Sequence, residues 1–67
     1  MDHIRGRVAL VTGAAVGIGR GIAEGLAARG ADLALCDLKP AVGEVAATLA
    51  ERYDVNTQAW VGDVADP

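Results

Sequence analysis

The residues that decide the fold run Val8-Ala9-Leu10-Val11-Thr12-Gly13-Ala14-Ala15-Val16-Gly17-Ile18-Gly19. Val8 to Val11 form an unbroken apolar stretch bounded by Arg7 and Gly13. Such a stretch suits a parallel strand covered on both faces. From Ile18 the period changes. Ile18, Ile22 and Leu26, with Ala23 and Ala27, recur four apart and make one helical stripe, with Arg20, Glu24 and Arg29 off it. A glycine-rich turn therefore joins a strand to a helix. A turn of this kind aims backbone N–H groups at a point just beyond the strand, and the helix dipole adds to their pull on an anion, most often a phosphate.

The rest of the chain repeats the alternation. Gly30 follows Arg29 and is placed to stop the first helix. Gly21 and Gly25 weaken that helix by up to about 1 kcal/mol each relative to alanine, and close packing of helix on sheet is the expected compensation. Leu33 to Cys36 form a second apolar run, closed by Asp37. Pro40 is placed as the first residue of the next helix. Val42, Val45, Ala46, Leu49, Ala50 and Tyr53 then recur at three and four, with Glu44, Thr48, Glu51 and Arg52 on the polar faces. Asp54 to Asn56 read as a loop, Thr57 to Val61 as a third strand, and Gly62-Asp63 as its end. The order β-α-β-α-β calls for right-handed crossovers and a parallel sheet, an α/β fold.

Composition narrows the function. A chain of 67 residues makes at most one small domain. A domain of that size hides only about 60% of its unfolded surface. At 52% hydrophobic residues, this chain is expected to pack much of its apolar surface on something outside the stretch. A net charge of −3 argues against nucleic acid, which selects basic faces. No basic helix face suggests a membrane surface. The lone Cys36 excludes an internal disulfide, and its apolar setting predicts a buried, inert thiol in a reduced compartment. No signal-peptide core follows the N-terminal residues, and Val8 to Val11 are too few to span a membrane, so the expected location is cytoplasmic. His3 lacks a cysteine or a second histidine with which to hold a metal and reads as a solvated terminus. Trp60 reads as core or as a cover for the sheet edge. Arg20, at the start of the first helix, faces either the phosphates or solvent.

The glycine spacing is not the common dinucleotide fingerprint G-x-G-x-x-G, because a count from Gly17 puts Ile22 at the third glycine. It is G-x-x-x-G-x-G, at Gly13, Gly17 and Gly19, with Thr12 before it and Ile18 inside it. That turn resembles the short-chain dehydrogenase/reductase family. A longer-chain branch spaces its turn G-x-x-G-x-x-G, and Val16 stands where that branch has its middle glycine. The resemblance runs from Arg7 to Asp66 and rests on three sites in order. It implies the N-terminal half of a Rossmann-type doubly wound sheet, strand order 3-2-1, with residues 1–67 as an incomplete NAD-binding segment. Gly13 then permits the tight exit from the strand, Gly17 lets backbone approach the pyrophosphate, and Gly19 lets the helix start pack on the strand. Ile18 acts through its backbone. Asp37, roughly 20 residues beyond the turn, accepts hydrogen bonds from the adenosine ribose and repels a 2′-phosphate. Asp63 meets the adenine amino group and Val64 adds an apolar wall, although Gly62-Asp63 alone also reads as a simple turn. Relatives that prefer NADP often carry a basic residue at the places of Val16 or Leu38, so the implied cofactor is NAD rather than NADP, with Lys39 the one nearby cation.

Some family fixtures differ. A serine is common at the places of Ala15 or Val16, and here only backbone is offered. Thr12 usually ties the first strand to a segment after a fourth strand. The family's chemistry uses a serine, a tyrosine and a lysine four residues after the tyrosine. Tyr53 has Thr57 at that distance and lies on an apolar helix stripe, so it reads as packing, and no catalytic residue is assigned within the chain. The resemblance implies a homo-oligomeric, NAD-dependent oxidoreductase interconverting an alcohol and a ketone, of which these residues are the cofactor-binding part, inactive alone. A different reaction within the family, a dehydratase or epimerase, stays open. So does a non-catalytic nucleotide-binding or interaction module completed by a partner chain. The first strand is expected to keep an open inner edge, which invites pairing.

Overall fold

The computed structural model describes residues 6–62. Asp63 and Val64, and His3, lie outside the described residues. The elements are β1 (Val8–Thr12), α1 (Gly17–Ala28), β2 (Asp32–Asp37), α2 (Val42–Tyr53) and β3 (Thr57–Val61). The three strands form one parallel sheet in the order β1-β2-β3, which is the 3-2-1 arrangement. The register pairs Val11 with Leu35 and Leu35 with Ala59, and it places Thr12, Cys36 and Trp60 in one row.

Side chains alternate across a strand, so one face of the sheet carries Ala9, Val11, Leu33 and Leu35. These pack with Ala23 and Ala27 of α1 and with Val42, Val45, Ala46 and Leu49 of α2 to form the core. The opposite face carries Val8 and Leu10, both exposed. Cys36 is buried, as its apolar run predicts. Trp60 is half exposed in its row at the outer strand.

The apolar stripe of α1 is buried only in part: Ile18 and Ile22 are 84% and 51% exposed. The buried line is Ala23 and Ala27, with Leu26 partly covered. Successive residues turn by about 100° around a helix, so Ile22 sits a quarter turn away from Ala23. The close packing expected of Gly21 and Gly25 is also absent, since a Cβ at either would meet nothing within 4 Å. Each glycine lies two residues from a buried alanine, nearly opposite it around the helix. The small alanines bring α1 close to the sheet.

The helix ends follow local chemistry. Gly30, at φ +90°, donates its N–H to Ala27 O at 2.9 Å, and Ala31 donates to Leu26 O at 3.1 Å. This paired closure is a Schellman motif, with glycine at the left-handed position as the sequence predicts. Pro40 is not the first helical residue. It lies in a turn in which Val42 N–H donates to Lys39 O at 3.1 Å, and α2 begins two residues later. A fixed proline φ suits that turn as well as it suits a helix start. Between the helices, Glu24 Oε2 accepts from Arg52 Nη1 at 2.8 Å and from the Tyr53 hydroxyl at 3.1 Å. Tyr53 is therefore a packing residue with its hydroxyl tied down.

Candidate nucleotide-binding site

The site lies at the C-terminal ends of β1 and β2, where the glycine turn leaves the sheet. Gly13 has φ +65° and Gly17 φ +60°. Both lie in the left-handed region, which a side chain disfavours by roughly 1–2 kcal/mol. Gly17 is thus required by its backbone conformation, and the space a Cβ would occupy there is open as well. Gly19 is required for a different reason. A Cβ at Gly19 would stand 2.0 Å from Gly13 O, 2.7 Å from Gly13 C and 3.2 Å from Thr12 O. The first turn of α1 rests directly on the backbone of the strand exit.

The first amides of α1 remain free of backbone acceptors among the described residues. Arg20 N–H donates to Val16 O at 3.4 Å, the first bond of the helix ladder. The amides of Gly17, Ile18 and Gly19 take no acceptor among the described residues. Val16, the N-cap, is extended (φ −144°, ψ 162°) and provides no side-chain cap. Three backbone donors and the positive end of a helix are left facing outward, an arrangement suited to a phosphate.

Asp37 closes the second strand beside this turn. Its Oδ2 accepts from Ala15 N–H at 2.9 Å, and its Oδ1 accepts from Lys39 N–H at 3.0 Å. The Ala15 N–H first, then the Lys39 N–H, hold this carboxyl below the ordinary aspartate range, and desolvation opposes them more weakly. The carboxylate is therefore ionised near neutral pH and retains lone pairs for hydroxyl donors. Leu38, beside it, is exposed. Arg20 lines a groove of about 330 Å³ with Ala15, Ala41, Glu44, Val45 and Thr48, on the α2 side of the turn.

This geometry gathers Gly13, Gly17, Ile18, Gly19 and Asp37 at one end of the sheet. The Ile18 side chain points to solvent, which leaves its amide as the part available to the site. Sequence reasoning missed the part played by Ala14 and Ala15. Ala14 N–H donates to Cys36 O at 3.3 Å and Ala15 N–H to Asp37, so both alanines fasten the turn to the end of β2. Two small apolar residues carried no signal of that bonding.

Comparison with known proteins agrees with this architecture. The sequence model of the short chain dehydrogenases matches residues 7–67. The chain belongs to the short-chain dehydrogenase family. It is 46% identical over 66 residues to 15-hydroxyprostaglandin dehydrogenase [NAD(+)] of Macaca fascicularis, covering 96% of this chain and 25% of that one. It is 45% identical over 67 residues to the oxidoreductase UcpA of Escherichia coli K12, covering all of this chain and 25% of the relative. The chain thus spans about a quarter of the length of the curated relatives it matches. Among solved structures, the L-sorbose reductase of Gluconobacter frateurii, complexed with NADPH and L-sorbose, superposes with a TM-score of 0.92 at 40% identity. That match covers all of this chain and 26% of the reductase. This short-chain dehydrogenase segment has a Rossmann-like fold, and no helix among its described residues is long and apolar enough to cross a membrane.

Proposed function

We propose that the complete protein is an NAD-dependent oxidoreductase interconverting an alcohol and a ketone, and that residues 1–67 form its cofactor-binding segment. The observation that carries this reading is the pairing of two features at one end of the sheet. Three unbonded amides stand at the start of α1, and an ionised Asp37 stands at the end of β2. Bound NAD supplies the hydride acceptor. The amides of Gly17, Ile18 and Gly19 hold the pyrophosphate, and Gly13 gives the turn its exit from β1. Asp37 accepts from the adenosine ribose hydroxyls. Asp63 and Val64 are assigned to the adenine on the family pattern. The same reading makes the complete protein a cytoplasmic homo-oligomer with a small-molecule substrate. The buried thiol of Cys36 and the exposed apolar sheet face are compatible with it.

Preference for NAD over NADP rests on charge. A carboxylate beside the ribose repels a 2′-phosphate, and Val16 and Leu38 offer no cation at the two positions where one would compensate. Lys39, two residues beyond Asp37, brings a positive charge that acts on that carboxylate, so some NADP binding is expected. The L-sorbose reductase with NADPH bound is a relative whose cofactor differs from the one proposed here. The test is a calorimetric titration of the full-length protein with each dinucleotide. NAD should bind at least about tenfold more tightly, equivalent to about 1.4 kcal/mol. Equal or tighter NADP binding overturns the assignment.

A further inference from the structure

Both oxygens of the Asp37 carboxylate hold the protein's own backbone. Oδ2 takes the N–H of Ala15, and Oδ1 takes the N–H of Lys39. These two bonds are not equivalent. Ala15 is only 4% exposed, so its N–H has little access to water. Lys39 is exposed, and water can replace the carboxylate there. Ala15 also stands two residues before Gly17, where the chain adopts positive φ and enters the three free amides of α1. Ala14, next to it, is fastened to Cys36 O. The direction in which the free amides point is thus set from the end of β2.

We propose that Asp37 is a positioning residue for the phosphate turn, holding it in shape through Ala15, in addition to contacting the ribose. This rests on the dinucleotide-binding reading above. Loss of Oδ2 orphans a buried donor, and the turn must open to bring water to it. Gly17, Ile18 and Gly19 then lose their common aim. The ribose and phosphate subsites are coupled through one carboxylate. Removing it to admit a 2′-phosphate loosens the grip on the pyrophosphate as well.

Asparagine separates the two roles. Its single acceptor oxygen goes to the buried Ala15 N–H, because the exposed Lys39 N–H has water. Asp37→Asn therefore keeps the turn and loses the second acceptor for ribose hydroxyls, whereas Asp37→Ala loses both. The experiment titrates the full-length protein and both variants with ADP and with 2′,3′-dideoxy-ADP, which has the diphosphate and no ribose hydroxyls. Amide hydrogen exchange at Ala15 is followed in the absence of ligand. The wild type should prefer ADP, with Ala15 protected. Asp37→Asn should lose that preference, bind dideoxy-ADP within about twofold of wild type and keep Ala15 protected. Asp37→Ala should bind dideoxy-ADP about tenfold more weakly and expose Ala15, on the scale of one orphaned buried donor. That sign is diagnostic, since removal of a negative charge near an anion site would by itself tighten anion binding. Asp37→Ser, whose side chain ends one bond short, should behave like Asp37→Ala and serves if the alanine variant does not fold. Unchanged dideoxy-ADP affinity in folded Asp37→Ala or Asp37→Ser overturns the proposal, as does rapid Ala15 exchange in the wild type. A wild type that binds neither nucleotide overturns the dinucleotide reading and the phosphate role with it, and the exchange data then report a purely structural tether.

Discussion

Replacing Gly19 with alanine tests the fit of α1 on the strand exit. The added Cβ would stand 2.0 Å from Gly13 O and 2.7 Å from Gly13 C, both backbone atoms of the turn. Neither can move aside as a side-chain tip does. Ordinary carbon–oxygen contact requires more than 3 Å, so α1 and the turn must separate by over an ångström. Overpacking of a filled interior costs about 1–3 kcal/mol and occasionally more, and a clash with backbone on this scale belongs at the top of that range. Alanine's better helix propensity offsets up to about 1 kcal/mol. A net destabilisation of at least about 2 kcal/mol is expected. The control is Gly25→Ala in the same helix, where a Cβ meets nothing within 4 Å. That substitution should gain up to about 1 kcal/mol. Urea unfolding of the full-length variants measures both. A Gly19→Ala variant within about 0.5 kcal/mol of wild type, below any of the costs invoked, would refute the packing argument.

Further outcomes follow from the same contacts. Gly17→Ala, forced to φ +60°, should lose roughly 1–2 kcal/mol of stability by urea unfolding and weaken ADP binding by calorimetry. Tyr53→Phe removes the hydroxyl bond to Glu24 and should cost about 1 kcal/mol by urea unfolding, with dinucleotide affinity unchanged because the ring lies away from the turn. Asp37 has a folded-state pKa below its unfolded value, so its contribution to stability is complete above about pH 3.9 and is lost as pH falls through the lower folded value. Acid unfolding followed by circular dichroism should therefore show a shallower loss below that pH in Asp37→Asn than in wild type.

Much of the fold was legible because local signals agreed. The apolar runs beginning at Val8 and Leu33 fall within β1 and β2, and Gly30 closes α1 through the left-handed conformation expected of it. Gly13 and Gly19 stand where the family spacing puts them, each with a structural demand that glycine alone meets there. The buried side of α1 was less legible. Its apolar residues cover more than one face, and periodicity relates residues to one another without saying which of them meets the sheet. Ala23 and Ala27 do so because their small side chains allow the closest approach, leaving Ile18 and Ile22 outside. Pro40 was misread for a related reason, since its fixed φ serves a turn and a helix start equally.

The sequence by itself determined an alternation of strands and helices, a parallel sheet and a glycine turn with its amides open to an anion. These depend on residues close together along the chain. Only the tertiary structure decided that both oxygens of Asp37 already hold backbone, one of them an amide 22 residues away. That bond exists because the register of β1 against β2 brings the turn to the strand end, and register is a property of the folded sheet rather than of any local stretch.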